Sequence, residues 1–314
     1  MKFRKEDFAV LFHFYKCEDT GEQFEDEDLA NLNYNQLVNQ FREKYAIPFP
    51  DQIVAIRAKY GVSASRMSEI LGLGINVYRQ YESGEVPSQS NARLIQLIDD
   101  PHEFKKLLNL NNIIDCKSKE KLGHLLDTIL EKMRNNKLEN QLQNYFFESS
   151  SPNSLTGYVK PNLSKLAEMV VFFAEKMQPY KTKLNKLLFY ADFSMFRKTY
   201  FSISGTQYKA ISMGPVPLHF NSLFDYLARN GDVDINYTTF PDGGIGEQFK
   251  PYLNRKFNPE IFTEMEREII ESVALRFKDT STDEIIEISH REKAWIDNFP
   301  GQNIIDYKHS FELN

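Results

Sequence analysis

An apolar and aromatic run near the start of the chain, FAVLFHFY at Phe8 to Tyr15, has a composition that predicts a short strand ended by the polar turn Lys16 to Glu22. Leu29, Leu32, Leu37, Val38, Phe41 and Tyr45 then recur at helical spacing up to Pro48-Phe49-Pro50, so residues 1–50 read as a small extension with one or two helices. From Asp51 to Leu110 the apolar pattern breaks into five short helical stretches. Ile53, Ile56 and Tyr60 share a face that stops at Gly61. Ser63 is placed to cap a second helix with Met67, Ile70 and Leu71, stopped by Gly72-Leu73-Gly74. A third runs from Ile75 to Glu82, a fourth follows Ser88, and Pro101 opens a fifth with Phe104, Leu107 and Leu108. Residues 51–110 are therefore expected to form a compact five-helix bundle.

Leu122, Leu125, Leu126, Ile129, Leu130 and Met133 form one stripe of an amphipathic helix over 117–147. It serves either as a connector packed on one neighbour or as a dimer or inter-domain element. The polar loop Glu148 to Ser154 marks a boundary, so 111–157 reads as connector and linker and 158–314 as a second domain. There, helical patterns at 163–173 and 184–195 lead into a hairpin over Ser202–Gly205 and Tyr208–Met213, ended by Gly214-Pro215-Val216-Pro217. His219 to Arg229 is helical, and Val233 to Tyr252 suggests a second hairpin broken at Pro241-Asp242-Gly243-Gly244. Thr263 with Glu266 and Ser281 with Glu284 match capping boxes that open two further helices. The fold class is α+β, mostly α.

Composition adds few constraints. With 314 residues, 41% of them hydrophobic and 13% aromatic, the chain can fill two cores. A net charge of −6 argues against a protein coated with nucleic acid and leaves room for a local contact surface. No apolar run is long enough to span a bilayer, and the charged start Met1 to Asp7 lacks a signal-peptide core, so a cytoplasmic location without membrane contact is expected. Cys17 and Cys116 form no framework and suit free thiols in a reducing compartment.

The spacing over 63–84 fits a helix-turn-helix, with Gly72 and Gly74 supplying the freedom that a steep exit angle needs. With Val77, Tyr78 and Tyr81 facing the bundle, Asn76, Arg79 and Gln80 are left exposed. Their side chains suit adenine and guanine edges. The helix starts near Ser63, Ser65 and Arg66, and near Ser88 and Asn91, are candidate phosphate contacts. A bundle that only packs or binds protein is the competing reading, because seven basic and seven acidic residues over 51–110 leave no electrostatic footprint.

The stretch from Ile53 to Ile98, in particular GINVYRQYESGEVPS and SNARLIQLI, resembles the XRE-type helix-turn-helix of MqsA-like antitoxins. FYKCEDTGEQF and LNYNQLVNQFREKYAIPFP are similar to the segment preceding it in that family. The resemblance implies DNA contacts from the Asn that opens the recognition helix, Asn76, and from a residue four further on, where an Arg is replaced here by Gln80. The family's zinc site needs two CxxC pairs, whereas Cys17 stands alone beside His13, so no metal is expected.

KLNKLLFYADF (183–193), SISGTQYKAISMGPVP (202–217) and SHREKAW (289–295) resemble the SocA/GepA-like Panacea domain. That resemblance implies an antitoxin module that neutralises a toxin from a neighbouring gene, with some relatives acting as adaptors to a protease. Read from the residues, Gly205 and Gly214 suit unusual backbone angles, and Pro215 and Pro217 stop a strand. Lys186, Tyr190, Tyr208, His290 and Trp295 are either core residues with polar tips or part of a partner surface; Lys186, Tyr190, Tyr208 and Trp295 are the candidate toxin contacts. Motifs for nucleophilic, metal-dependent or nucleotide-dependent catalysis are missing, so neither catalysis nor a cofactor is expected. Together these readings predict a bacterial or phage antitoxin that forms a homodimer, binds operator DNA as a repressor and binds a cognate toxin. The alternative is a regulator or protease adaptor without a toxin.

Overall fold

The computed structural model describes every residue except 113, 136, 148–150 and 242. The expected polar loop at 148–154 and turn at 241–244 thus lie partly outside the described residues. The chain forms two compact units, Met1–Leu142 and Gln143–Asn314. Helices dominate both, and the strands pair as two-stranded antiparallel hairpins.

In the first unit β1 (Lys2–Phe3) pairs with β2 (Glu6–Asp7) and β3 (Tyr15–Lys16) with β4 (Gln23–Phe24), followed by α1 (Glu27–Tyr45). The strand expected over Phe8–Tyr15 belongs to a ladder only at Tyr15. Its other backbone groups meet side chains of α1 instead. The Leu11 N–H donates to Gln36 Oε1 and Gln36 Nε2 donates to the Leu11 carbonyl, both at 2.8 Å. His13 and Asn33 exchange the same two bonds at 2.8 and 2.7 Å, and Gln40 Nε2 donates to the Ala9 carbonyl at 2.8 Å. Buried Asn33 and Gln36 therefore satisfy backbone that a neighbouring strand would otherwise satisfy. Another face of α1 packs Val38 and Phe41 onto Ile47, Val86 and Ala92.

Helices α2 (Pro50–Lys59), α3 (Ala64–Ile70), α4 (Val77–Glu82), α5 (Gln89–Leu97) and α6 (Pro101–Leu110) follow the predicted apolar spacing. Ile53, Tyr60, Met67, Tyr78, Ile95, Ile98 and Phe104 are fully enclosed, with Tyr60 and Phe104 stacked at 3.9 Å. The helix expected over 117–147 is described as α7 (Cys116–Asn135) and α8 (Lys137–Phe146), with residue 136 between them outside the described residues. Leu126 enters the same core and Leu122 and Ile129 pack on it, so the stripe serves local packing.

The second unit contains α9 (Leu163–Met177), α10 (Lys181–Thr199), β5 (Tyr208–Ile211), β6 (Gly214–Pro217), α11 (Phe220–Arg229), β7 (Val233–Thr239), β8 (Ile245–Pro251), α12 (Glu264–Arg276), α13 (Thr282–Arg291) and α14 (Lys293–Ile296). Its core lies around α10, where Leu184 and every residue from Lys186 to Phe193 have no exposed surface. Both capping boxes form: the Thr263 and Ser281 hydroxyls each accept the N–H three residues on at 3.2 Å, and the Glu266 and Glu284 carboxylates accept the return bonds.

The first hairpin differs from expectation, because residues 202–206 are a bent loop and Gly214–Pro217 is itself the second strand. Pro215 faces Ala210 and Pro217 faces Tyr208. Those two residues turn their backbone groups the other way: the Ala210 N–H donates to the Asn303 carbonyl and the Tyr208 carbonyl accepts from Ile305. The prolines thus occupy the positions where the ladder needs no N–H, and they extend the strand rather than stop it.

Gly205 adopts φ +74°, and a Cβ there would lie 2.8 Å from the backbone of Pro161 and the Val159 carbonyl. Gly72, in the α3–α4 turn, has φ +67° with open space around its Cβ position. Gly205→Ala is expected to destabilise the second unit by about 3 kcal/mol, and Gly72→Ala the first by only about 1 kcal/mol, the strain of φ alone. Denaturant unfolding followed by circular dichroism checks both, and equal costs would contradict the assignment.

Candidate functional site

In the first unit, the pair α3 and α4 is held together by Ser68. Its hydroxyl accepts the Tyr78 N–H at 3.1 Å, and its carbonyl accepts the Leu73 N–H at 2.8 Å. Tyr78 reaches under the pair to donate to the Ile53 carbonyl at 2.9 Å, and burial holds its phenol well above the usual range. Helical geometry begins at Val77 rather than Ile75, and Asn76 is the residue that opens α4. With Tyr78 and Tyr81 buried and Val77 half-buried, Asn76, Arg79 and Gln80 are exposed, together with Ile75.

The other candidate phosphate contacts have mixed surroundings. The Ser63 and Ser88 hydroxyls cap their helices, accepting the Arg66 and Asn91 N–H at 3.1 and 3.2 Å, and both residues are exposed. Ser65 is half-buried. Arg66 is paired with Glu69 at 2.6 Å, and the Asn91 amide donates to the Tyr81 hydroxyl at 2.8 Å. A depression lined by Ser63, Ser65, Arg66, Gly72 and Ile75 runs across this face.

In the second unit a buried polar network forms around α10. The Asp192 carboxylate accepts the N–H of Ile203 and of Ser204 at 2.8 Å, the Ser204 hydroxyl at 2.6 Å and the Tyr208 hydroxyl at 2.7 Å. Burial pushes its pKa up against the pull of these donors. Two residues earlier on α10, the Tyr190 hydroxyl donates to the buried Glu292 carboxylate at 3.0 Å, which also accepts from Asn314.

Lys186 is enclosed between α10, β6 and α13. A Cβ on Gly214 would lie 2.7 Å from Lys186 Cε and 2.5 Å from Ser289 Oγ, so the three elements are in close contact. Among the described residues Lys186 Nζ meets no hydrogen-bond partner, and burial brings its pKa down to about 7. His290, with Nε2 also buried and unbonded, stacks on Trp295 at 3.9 Å, and burial and nearby Lys186 both lower its pKa. Trp295 donates from Nε1 to the Ile211 carbonyl at 2.8 Å and stacks on Phe299.

Lys186, Tyr190 and Tyr208 thus have no surface to offer a partner, and of their two readings they fill the core one. The half-buried Trp295 remains at the edge. The surface features are elsewhere, in a cleft of about 700 Å³ lined by Tyr180, Met213, Phe240, Pro241, Ile245 and Glu247. Ile245 is 70% exposed and Met213 46%. Sequence pattern missed these residues because the apolar side chains of a hairpin tip read like those of its buried base. Among the described residues no three His, Cys, Asp or Glu side chains cluster as a metal site, and no helix is long and apolar enough to cross a membrane.

Unfolded chain carries a proton on Lys186 up to about pH 10.5, whereas the folded unit releases it near 7. Between these values the unfolded state binds more protons, so stability of the second unit rises as pH increases from 7 towards 10. Lys186→Met is expected to raise stability at pH 7 by about 2 kcal/mol and to remove most of that rise. Unfolding free energies measured across this pH range check it. A Met variant that is less stable at pH 7 would show that the ammonium is solvated after all.

Residues 184–296 match the family model described as Antitoxin SocA-like, Panacea domain. No curated protein and no solved structure matches the chain. The matched stretch contains most of α10, both hairpins and α13, among them the elements α10, β5, β6 and α13 that Asp192, Lys186 and Trp295 join, and it is antitoxin-like at the level of the family.

Proposed function

We propose that this protein is the antitoxin of a type II toxin–antitoxin system, acting without catalysis. The second unit binds and neutralises a cognate toxin, and the first represses the shared operon. The observation that carries the reading is the match of residues 184–296 to the Panacea domain of SocA-like antitoxins. Toxin contact is assigned to the exposed cleft around Met213, Phe240 and Ile245 with Trp295 at the edge of the buried cluster, because apolar surface at a concave site is what a protein partner desolvates.

DNA recognition is assigned to α4, entering the major groove with Asn76, Arg79 and Gln80 on base edges and Ser63, Ser65, Ser88 and Asn91 near phosphates. Exposure of the first three beside an enclosed Tyr78 supports it. Arg66, neutralised by Glu69, contributes less. A single recognition helix reads only a few base pairs, so two copies on two half-sites are required.

Asn76→Ala with Arg79→Ala is expected to weaken binding to DNA upstream of the gene by about two orders of magnitude in a gel shift, from loss of two base contacts. Unchanged binding removes α4 as the reading element. In cells that express the adjacent gene, growth arrest is expected to be relieved by the full chain and by residues 158–314, and not by residues 1–150. An adjacent gene that is harmless, or toxic and relieved by none of these, would replace the antitoxin with a DNA-binding regulator or protease adaptor.

A further inference from the structure

Ile75 lies between the two groups of residues assigned to DNA. It directly precedes Asn76 at the start of α4, and it lines the same depression as Ser63, Ser65 and Arg66 at the start of α3. The apolar residues on either side of it turn inward. Leu73 and Val77 pack on the core of the bundle, whereas Ile75 is 74% exposed and is not part of that core. The Asn76 side chain makes no cap bond with its own helix, so its amide is not held by α4. Exposure alone is ordinary for a single isoleucine. Its position is not.

With α4 in the major groove, a residue between base readers and phosphate contacts meets the edges of bases. Those edges present nitrogen and oxygen atoms and one apolar group, the 5-methyl of thymine. Against a donor or an acceptor, an isoleucine displaces water without replacing its hydrogen bond. Against the methyl, both sides bury apolar surface. Neighbouring Cα atoms are about 3.8 Å apart and stacked base pairs about 3.4 Å, so Ile75 and Asn76 reach adjacent pairs. We infer that Ile75 reads the methyl of a thymine on the base pair next to the adenine that Asn76 reads. Each operator half-site then contains two adjacent A·T pairs at this step. The inference rests on the assignment of α4 as the DNA-reading helix and names the bases that it selects.

The test is a gel shift of the full chain on the DNA upstream of its gene, prepared once with thymine and once with uracil throughout, since uracil pairs as thymine does and lacks the methyl. Wild type is expected to bind the uracil DNA about tenfold or more weakly, from about fourfold for each methyl in two half-sites. Ile75→Ala is expected to keep its circular dichroism, to bind thymine DNA about as weakly as wild type binds uracil DNA, and to distinguish the two DNAs by less than about twofold. Leu110→Ala, which truncates an equally exposed side chain on α6, is expected to keep the wild-type discrimination. Wild type that binds both DNAs equally, or Ile75→Ala that discriminates as wild type does, overturns the inference alone and leaves Asn76 and Arg79 as readers. Wild type that binds neither DNA overturns it together with the assignment of α4.

Discussion

A carboxylate with no access to water costs several kcal/mol unless its surroundings supply donors. Asp192 pins the second unit because its donors come from the chain that must be brought to α10. Ile203, Ser204 and Tyr208 supply the four, and they span the bent loop and the first residue of β5. The loop then passes the constraint on. The Ser204 carbonyl accepts from Asn162 just before α9, Ser202 donates its N–H to the Gly157 carbonyl and its hydroxyl to the Thr156 carbonyl, and the Tyr208 carbonyl accepts from Ile305 near the C-terminus. Three stretches, 156–162, 202–208 and the chain at Ile305, are thereby tied to one side chain. Removing it would leave several buried donors unmet together, the situation in which polar networks lose more than the sum of their bonds.

The first unit uses a smaller version of the same device. Ser68, fully enclosed, fixes the angle between α3 and α4 with one hydroxyl and one carbonyl. Because the linkage is inside, the outer face of α4 is released from structural duty, and Asn76, Arg79 and Gln80 can vary without disturbing the bundle. The second unit has the reverse arrangement at its most distinctive sequence pieces. KLNKLLFYADF, SISGTQYKA and SHREKAW contribute Lys186, Tyr190, Asp192, Tyr208 and Ser289 to the interior, so what is recognisable in them is architecture. The exposed side chains of the cleft, such as Met213 and Ile245, lie outside these pieces or at their margin and carry little of the packing.

The helices of the first unit were legible because apolar spacing, Ser caps and glycine stops all pointed the same way, and the capping boxes at Thr263 and Ser281 were read for the same reason. Three features were not. Gly214–Pro217 looked like a stop because proline is excluded only from positions that need an N–H, and register is invisible in sequence. Burial of Lys186 could not be read because a lysine on an apolar helix face ordinarily extends its ammonium to water, and only the approach of Gly214 and Ser289 closes that route. The exposed cleft was hidden by the converse ambiguity, apolar residues that serve no core.

The amides of α1 that hold the N-terminal segment also act as a ruler. Asn33, Gln36 and Gln40 are spaced by about 5 Å along the helix axis, whereas alternate residues of an extended chain advance about 6.6 Å. The spacing of three residues and then four takes up part of the misfit: Asn33 and Gln36 each exchange two bonds with the segment, and Gln40, one residue further along than a repeat of three would place it, donates to the Ala9 carbonyl. A helix can therefore imitate a neighbouring strand for about three positions and no further. Beyond His13 the chain accordingly leaves the helix for a true strand neighbour, with Tyr15 and Lys16 paired to Phe24 and Gln23.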